Sequence, residues 1–265
     1  MAKQGEHIIF FSLEQSRFEL VAKSISRETY KIDNRNAKTS LAIMQSTDIA
    51  DITIQGVANY QEVANNSIIV EGNFDTTANT IREYVENYIA FTGYKPVVVV
   101  DYLQILKPLS DRMTDKQAVD FNVTQLKKTS RDLDIPIFVI CSFNRENYTS
   151  AVDFTSFKES GAIEYSADVV IGLQLAIIEE LKGKNINEIR EKINEAKNEF
   201  PRKIQLIGLK NRNGKSYFKC NYNFYPAFNY FEENDILPQY AGSMRTGSRQ
   251  KRSVFGGNDD FKLPF

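Results

Sequence analysis

The sequence predicts an α/β fold with a mainly parallel sheet. Three observations predict it. Residues 96–106 (PVVVVDYLQIL) form an apolar run interrupted by one acid, as expected of a strand buried on both faces. Residues 7–13 (HIIFFSL) and 136–142 (PIFVICS) are runs of the same kind. The segments between them carry apolar residues at helical spacing, and strands alternating with helices imply a sheet of parallel strands.

The elements follow in order. After the first strand, residues 16–25 place Phe18, Leu20, Val21 and Ile25 at helical intervals. Residues 48–66 give no clear period. Residues 66–71 (NSIIVE) predict a strand. Residues 77–91 predict an amphipathic helix with Ile81, Tyr84, Val85, Tyr88 and Ile89 on one stripe. Residues 118–133 predict another helix, and residues 167–175 (ADVVIGLQL) and 203–209 (KIQLIGL) two further strands. Between those strands a charged segment at about 179–200 predicts an inserted surface helix. Asn185 to Glu188 there has capping-box spacing, with Ile186, Ile189, Ile193 and Ala196 behind it. Residues 239–265 change to a Gly-, Ser- and Arg-rich composition with no period. They predict a flexible tail, basic and then acidic-hydrophobic, after a domain spanning 1–238.

Composition bounds the function. The chain has 265 residues, 42% hydrophobic, enough for one sizeable core. Net charge is −1, so any nucleic-acid signal is local. Such a signal lies in 201–231, which holds six Lys/Arg, no Asp or Glu, and interleaved aromatics. Cys141 and Cys220 lack CxxC spacing, and His7 is the single histidine, which argues against disulfide scaffolds, multi-His metal sites and His-based triads. No apolar run approaches the ~20 residues of a membrane span, and no signal-peptide pattern opens the chain. A cytoplasmic protein with no membrane partner is the expectation.

Two acids stand at strand ends. Asp101 closes the Val97–Val100 run, where ligands bind in open α/β sheets. In nucleotide hydrolases such an acid sits by the magnesium ion. Glu14 closes FFSLE, and two strand-end carboxylates can divide labour between metal and attacking water. Glu14 also suits the start of a helix through the macrodipole.

FFSLEQS, VVVVDYLQIL, FKESGAIEYSADVVIGL and LKNRNG occur in that order, and together they resemble the blocks of DnaB-type replicative helicase motor domains from about Gly5 to about Phe231. A RecA-type recombinase is the second-best match, and KESGAIEYSAD followed by KNRNG favours the helicase. The resemblance implies a RecA-like P-loop NTPase core, ATP and magnesium as cofactors, single-stranded DNA as partner and a ring of helicase subunits. It makes Glu14 the catalytic glutamate and Asp101 the magnesium-associated aspartate. Lys210 and Arg212 become the basic pair offered to a neighbour's γ-phosphate, with Gly214 permitting the turn that presents them. An exposed basic hairpin tip is the plainer alternative. Lys158, Glu159 and Gly161 match the loop that follows the DNA backbone.

The sequence departs from that pattern in three places. No G-x-x-x-x-G-K-[ST] segment occurs. In the family it lies upstream of the FFSLE strand, and MAKQGEH reads as the tail of the helix that follows it. The expectation is a core truncated at the N-terminus, without the phosphate-loop strand and loop, that does not bind ATP productively by itself. A non-catalytic DNA-binding or ring-docking module, or an inactive remnant, is the alternative. Phe143 stands where a γ-phosphate-sensing Gln is common, with Asn144 or Arg145 as substitutes, and Lys158 replaces the commoner Arg. Finally, the acids before Phe261, Leu263, Pro264 and Phe265 resemble the tip of single-strand-binding proteins, which predicts a replication partner docked at the C-terminus.

Overall fold

The computed structural model describes residues 1–234, apart from positions 48, 74, 111, 145–148 and 158–160. Strands β1 (Ile8–Ser12), β2 (Ser67–Glu71), β3 (Val97–Asp101) and β4 (Ile137–Val139) form a parallel sheet in the order β2-β1-β3-β4. The expected α/β fold with a parallel sheet is therefore present. A second sheet, β5-β6-β7-β8, is antiparallel: β5 (Val169–Leu175), β6 (Arg202–Asn211), β7 (Phe218–Tyr225) and β8 (Tyr230–Glu233). Among the described residues parallel pairing is thus confined to strands before residue 140. In the second half the β6–β7 and β7–β8 connections are short enough for hairpins.

Side-chain caps start several of the helices. Ser16 caps α1 (Arg17–Ile32) in a full capping box with Glu19. Thr77 caps α4 (Ala78–Thr92), and Thr114 with Gln117 caps α5 (Asp115–Leu133). Residues 48–66, which showed no clear period, hold α3 (Asp51–Ala64). It follows a short α2 (Ser40–Gln45) and packs on α1 through Gly56. A Cβ at Gly56 would lie 2.9 Å from Thr29 Cγ2, so only glycine lets the helices meet this closely. The inserted helix is α7 (Ile186–Asn198), capped by the Asn185 side chain, and it closes a small cluster of Ile178, Leu181 and Ile193. Residues Ala2–Gln4 form a single 3-10 turn ended by Gly5 at φ 92°, not the tail of an α-helix.

The main core lies between the parallel sheet and α4–α5. Ile9, Phe11, Val98 and Val100 meet Ile81, Val85, Val119 and Leu126, and the cluster continues into Val170, Ile207 and Leu209 of the second sheet. Each fully buried aliphatic side chain contributes roughly 2 kcal/mol. Phe10, Val99 and Phe138 share a register row on the opposite face, where Phe138 is half exposed. Among the described residues β4 pairs only with β3 and β5 only with β6. A cleft of about 410 Å³ lies between them, lined by Pro136–Val139 and Asp168–Ile171.

Candidate nucleotide-motor site

The first group of site residues lies at the carboxyl end of the parallel sheet. Ser12 is in register with Asp101, and the Leu13 N–H donates to the Asp101 carbonyl at 2.8 Å. The chain leaving β1 therefore passes directly over the end of β3, with Glu14 exposed beside Asp101. Burial pushes the Asp101 carboxyl above its ordinary range, and the Glu14 charge adds to this, while Lys23 opposes it. Lys23 is itself held by the Gln15 side chain at 2.9 Å.

A carboxyl whose proton affinity is raised by burial and by a neighbouring acid is matched by a cation. Among the described residues no cluster of three or more His, Cys, Asp or Glu forms a closed metal cage. The donor set fits magnesium, which keeps several waters and binds through one or two carboxylates plus phosphate oxygens. Asp101 would hold it, through water, and Glu14 would face a nucleophilic water.

Sequence reasoning gave Gln104 no role, yet it ties the ends of β3 and β4 together. Its Nε2 donates to the Ser142 carbonyl at 3.2 Å and to Cys141 Sγ at 3.0 Å. Its Oε1 accepts from the Ser142 N–H at 3.2 Å. Burial pushes the Cys141 thiol up, partly offset by that hydrogen bond, and so disfavours its thiolate. Phe143 bridges to Phe157, the two rings edge-to-face at 5.2 Å, and it presents no polar atom to a phosphate. Asn144 is bound to the Ser156 and Thr155 carbonyls. Arg145 lies outside the described residues.

The second group sits at the β6–β7 hairpin. Lys210 Nζ donates to the Glu164 carbonyl in α6 (Gly161–Ser166) at 2.6 Å. The Arg212 guanidinium pairs with Asp168 Oδ1 at 2.9 Å, and its N–H donates to the Asp168 carbonyl at 2.8 Å. Lys127 of α5 pairs with the other carboxylate oxygen of Asp168. The Lys127 hydrogen bond holds the Asp168 carboxyl below the usual range against partial burial, helped by the charges of Lys127, Arg212 and Lys210.

The turn is built differently from the sequence expectation. Tyr217, at φ 57°, takes the left-handed conformation. A Cβ at Gly214 would instead lie 2.6 Å from the Asn211 side-chain amide, so a larger residue there would have to displace that side chain. Lys127 and Asp168 are 41 residues apart, and no local pattern joins them. Among the described residues no hydrogen bond or ion pair links Glu14 or Asp101 to Lys210 or Arg212. Gly161 opens α6 with free space around its Cα. Lys158 and Glu159 lie outside the described residues, as do Phe261, Leu263, Pro264 and Phe265. No described helix is long and apolar enough to cross a membrane.

Comparison with known proteins identifies the family and the fold. The chain is 29% identical over 167 residues to the replicative DNA helicase DnaB of Mycobacterium intracellulare, covering 62% of this chain and 27% of that protein. It is 31% identical over 170 residues to the DnaB helicase of Treponema pallidum (strain Nichols), covering 62% and 36%. It is 26% identical over 218 residues to the DnaB helicase of Leifsonia xyli, covering 78% and 41%. The chain therefore spans well under half the length of these curated relatives.

The fold matches a solved ATPase domain with a TM-score of 0.69 at 17% identity, covering 87% of this chain and 75% of that one. It matches a DnaB-like replicative helicase, studied for its interactions with primase, with a TM-score of 0.68 at 18% identity, covering 87% and 51%. The family model for the DnaB-like helicase C-terminal domain matches residues 1–233. The chain belongs to the family of DnaB-like helicase C-terminal domains.

Proposed function

We infer that this chain is the motor portion of a ring helicase that couples ATP hydrolysis to movement along single-stranded DNA and to duplex unwinding. The observation that carries the reading is the register of β1 on β3, which sets Glu14 beside Asp101 at the carboxyl end of the parallel sheet. Asp101 serves magnesium, and Glu14 orients or deprotonates the attacking water. Bound magnesium supplies charge neutralisation at the β- and γ-phosphates. Lys210 and Arg212 sit on a separate hairpin and serve the ATP of a neighbouring subunit. The loop at 158–161 follows the DNA backbone through Lys158, Glu159 and Gly161.

These 265 residues contain no G-x-x-x-x-G-K-[ST], so the phosphate cradle comes from other residues. A phosphate loop follows a strand. The cleft between β4 and β5, with a strand edge on each side that is unpaired among the described residues, is the place for that strand. By itself the chain does not turn over ATP. The half-exposed Arg212 also suits a ring-docking module that donates its finger without hydrolysing ATP.

The test is ATP turnover by the purified chain, alone and mixed with a DnaB helicase that carries the phosphate loop, with and without single-stranded DNA. The reading expects no turnover alone and DNA-stimulated turnover that responds to this chain in the mixture. Robust turnover alone, or a mixture indifferent to the chain, overturns it.

A further inference from the structure

Asp168 belongs to neither group of residues assigned a chemical role above, yet three contacts from two cationic residues converge on it. Lys127 of α5 reaches Oδ2, the Arg212 guanidinium reaches Oδ1 at 2.9 Å, and the Arg212 N–H reaches the Asp168 carbonyl at 2.8 Å. Lys210 is fixed to the same α6–β5 junction through the Glu164 carbonyl. The Arg212 side chain remains 52% exposed, so its guanidinium keeps free donors toward solvent. Three cations around one carboxylate leave a local positive excess that suits an anion.

The arrangement has a consequence for how Arg212 is released. If Arg212 alone paired with Asp168, moving it to a phosphate would strand a half-buried carboxylate without a cation. Lys127 on the second oxygen removes that penalty, because Asp168 stays paired after Arg212 leaves. The backbone bond from Arg212 to Asp168 meanwhile keeps the hairpin in place.

We propose that Asp168 is a positioning residue that holds Arg212 ready for a phosphate group, and that Lys127 makes the exchange of Arg212 from Asp168 to that phosphate easier by keeping Asp168 paired. The proposal rests on reading Arg212 as phosphate-directed. It adds a brace, Lys127–Asp168, that links α5 of the parallel-sheet half to the basic hairpin.

The test follows the Arg212 Nε–Hε resonance in the full chain, assigned with Arg212→Lys, during titration with tripolyphosphate at about 0.15 M salt, where long-range fields are screened. Lys127→Met is expected to weaken the interaction at Arg212 about threefold or more. In an Asp168→Asn background the same change is expected to have little effect, because Lys127 acts through Asp168. Asp168→Asn frees the Arg212 side chain, read as a fall in its heteronuclear NOE, and Asp168→Glu restores part of the order.

An effect of Lys127→Met that is equal in both backgrounds marks a plain charge effect and overturns the proposal. So does a tripolyphosphate titration that leaves Arg212 unperturbed. A wild-type NOE matching a freely rotating side chain overturns it without recourse to any variant. Failure of the ring-motor reading is a different result: turnover in mixed assemblies that is indifferent to Arg212→Ala.

Discussion

The Leu13 N–H donates to the carbonyl of Asp101 at 2.8 Å. This bond extends the β1–β3 ladder one residue past β1, onto the last residue of β3, and brings the Glu14 carboxylate to the Asp101 carboxyl. Two acids 87 positions apart in sequence become one electrostatic unit, since the Glu14 charge raises the proton affinity of Asp101.

That coupling sets a pH dependence. A carboxyl whose folded pKa is raised destabilises the fold above that pKa, and the penalty fades as pH falls through it. Asp101→Asn is therefore expected to raise Tm near neutral pH by about 2 °C. The gap should close as pH falls through the raised value into the ordinary carboxylate range. Glu14→Gln should lower the Asp101 pKa in a carboxyl carbon NMR titration. A Tm gap that stays constant with pH would falsify the coupling.

Glu28 gives the opposite sign. Burial pushes its carboxyl up, but the hydrogen bond from Lys31 and the charges of Lys31, Lys3 and Arg27 outweigh burial and hold it below its ordinary range. Lys31 stands 2.9 Å away and Lys3 3.6 Å. Its stabilisation is present above the unfolded-state pKa and is lost as pH falls through the folded one. Glu28→Gln should cost roughly 1–3 kcal/mol near neutral pH and flatten the acid limb of the Tm–pH curve. Parallel curves for wild type and variant would refute this.

Gly208 faces Phe218 across the β6–β7 pair, and a Cβ there would enter the van der Waals envelope of the ring. Gly208→Ala should destabilise the chain by about 1–3 kcal/mol, seen as a lower urea midpoint with an unchanged slope. Phe218→Leu in the same background should recover part of the loss, because the smaller side chain makes room.

Arg212 is half exposed and its ion pair is solvent-screened, so Arg212→Ala should leave Tm within about 1 °C of wild type. Added to an active DnaB-type ring, the variant should depress DNA-stimulated turnover at least about tenfold relative to the wild-type chain, as expected for loss of a phosphate-directed arginine. Unfolding of the variant would instead show that the hairpin needs the Asp168 pair for structure.

Much of this was legible locally. The apolar runs of β1, β3 and β4 are period-free because the core lies on one face and Phe10, Val99 and Phe138 line the other. The acids at the ends of β1 and β3 are visible because a carboxylate after such a run has nowhere to go but the strand terminus. The start of α7 was legible in Asn185, whose side chain accepts from the N–H groups of Asn187 and Glu188, and Ser16, Thr77 and Thr114 cap their helices in the same way through the N–H three residues on. Residues 51–64 hid their helix because its apolar stripe is weak and its packing rests on Gly56, which carries no hydrophobic signal.

By itself, then, the sequence determined the strand–helix alternation, the strand-end acids Glu14 and Asp101, and the basic hairpin of Lys210 and Arg212. Those features depend on near neighbours in the chain and on the period of burial. Tertiary structure alone decided that β5–β8 form an antiparallel sheet, that Gln104 binds the segment after β4, that Tyr217 carries the turn's left-handed residue, and that Asp168 joins Lys127 to Arg212. Each of these depends on strand pairing, backbone geometry or charge contact that local spacing does not encode.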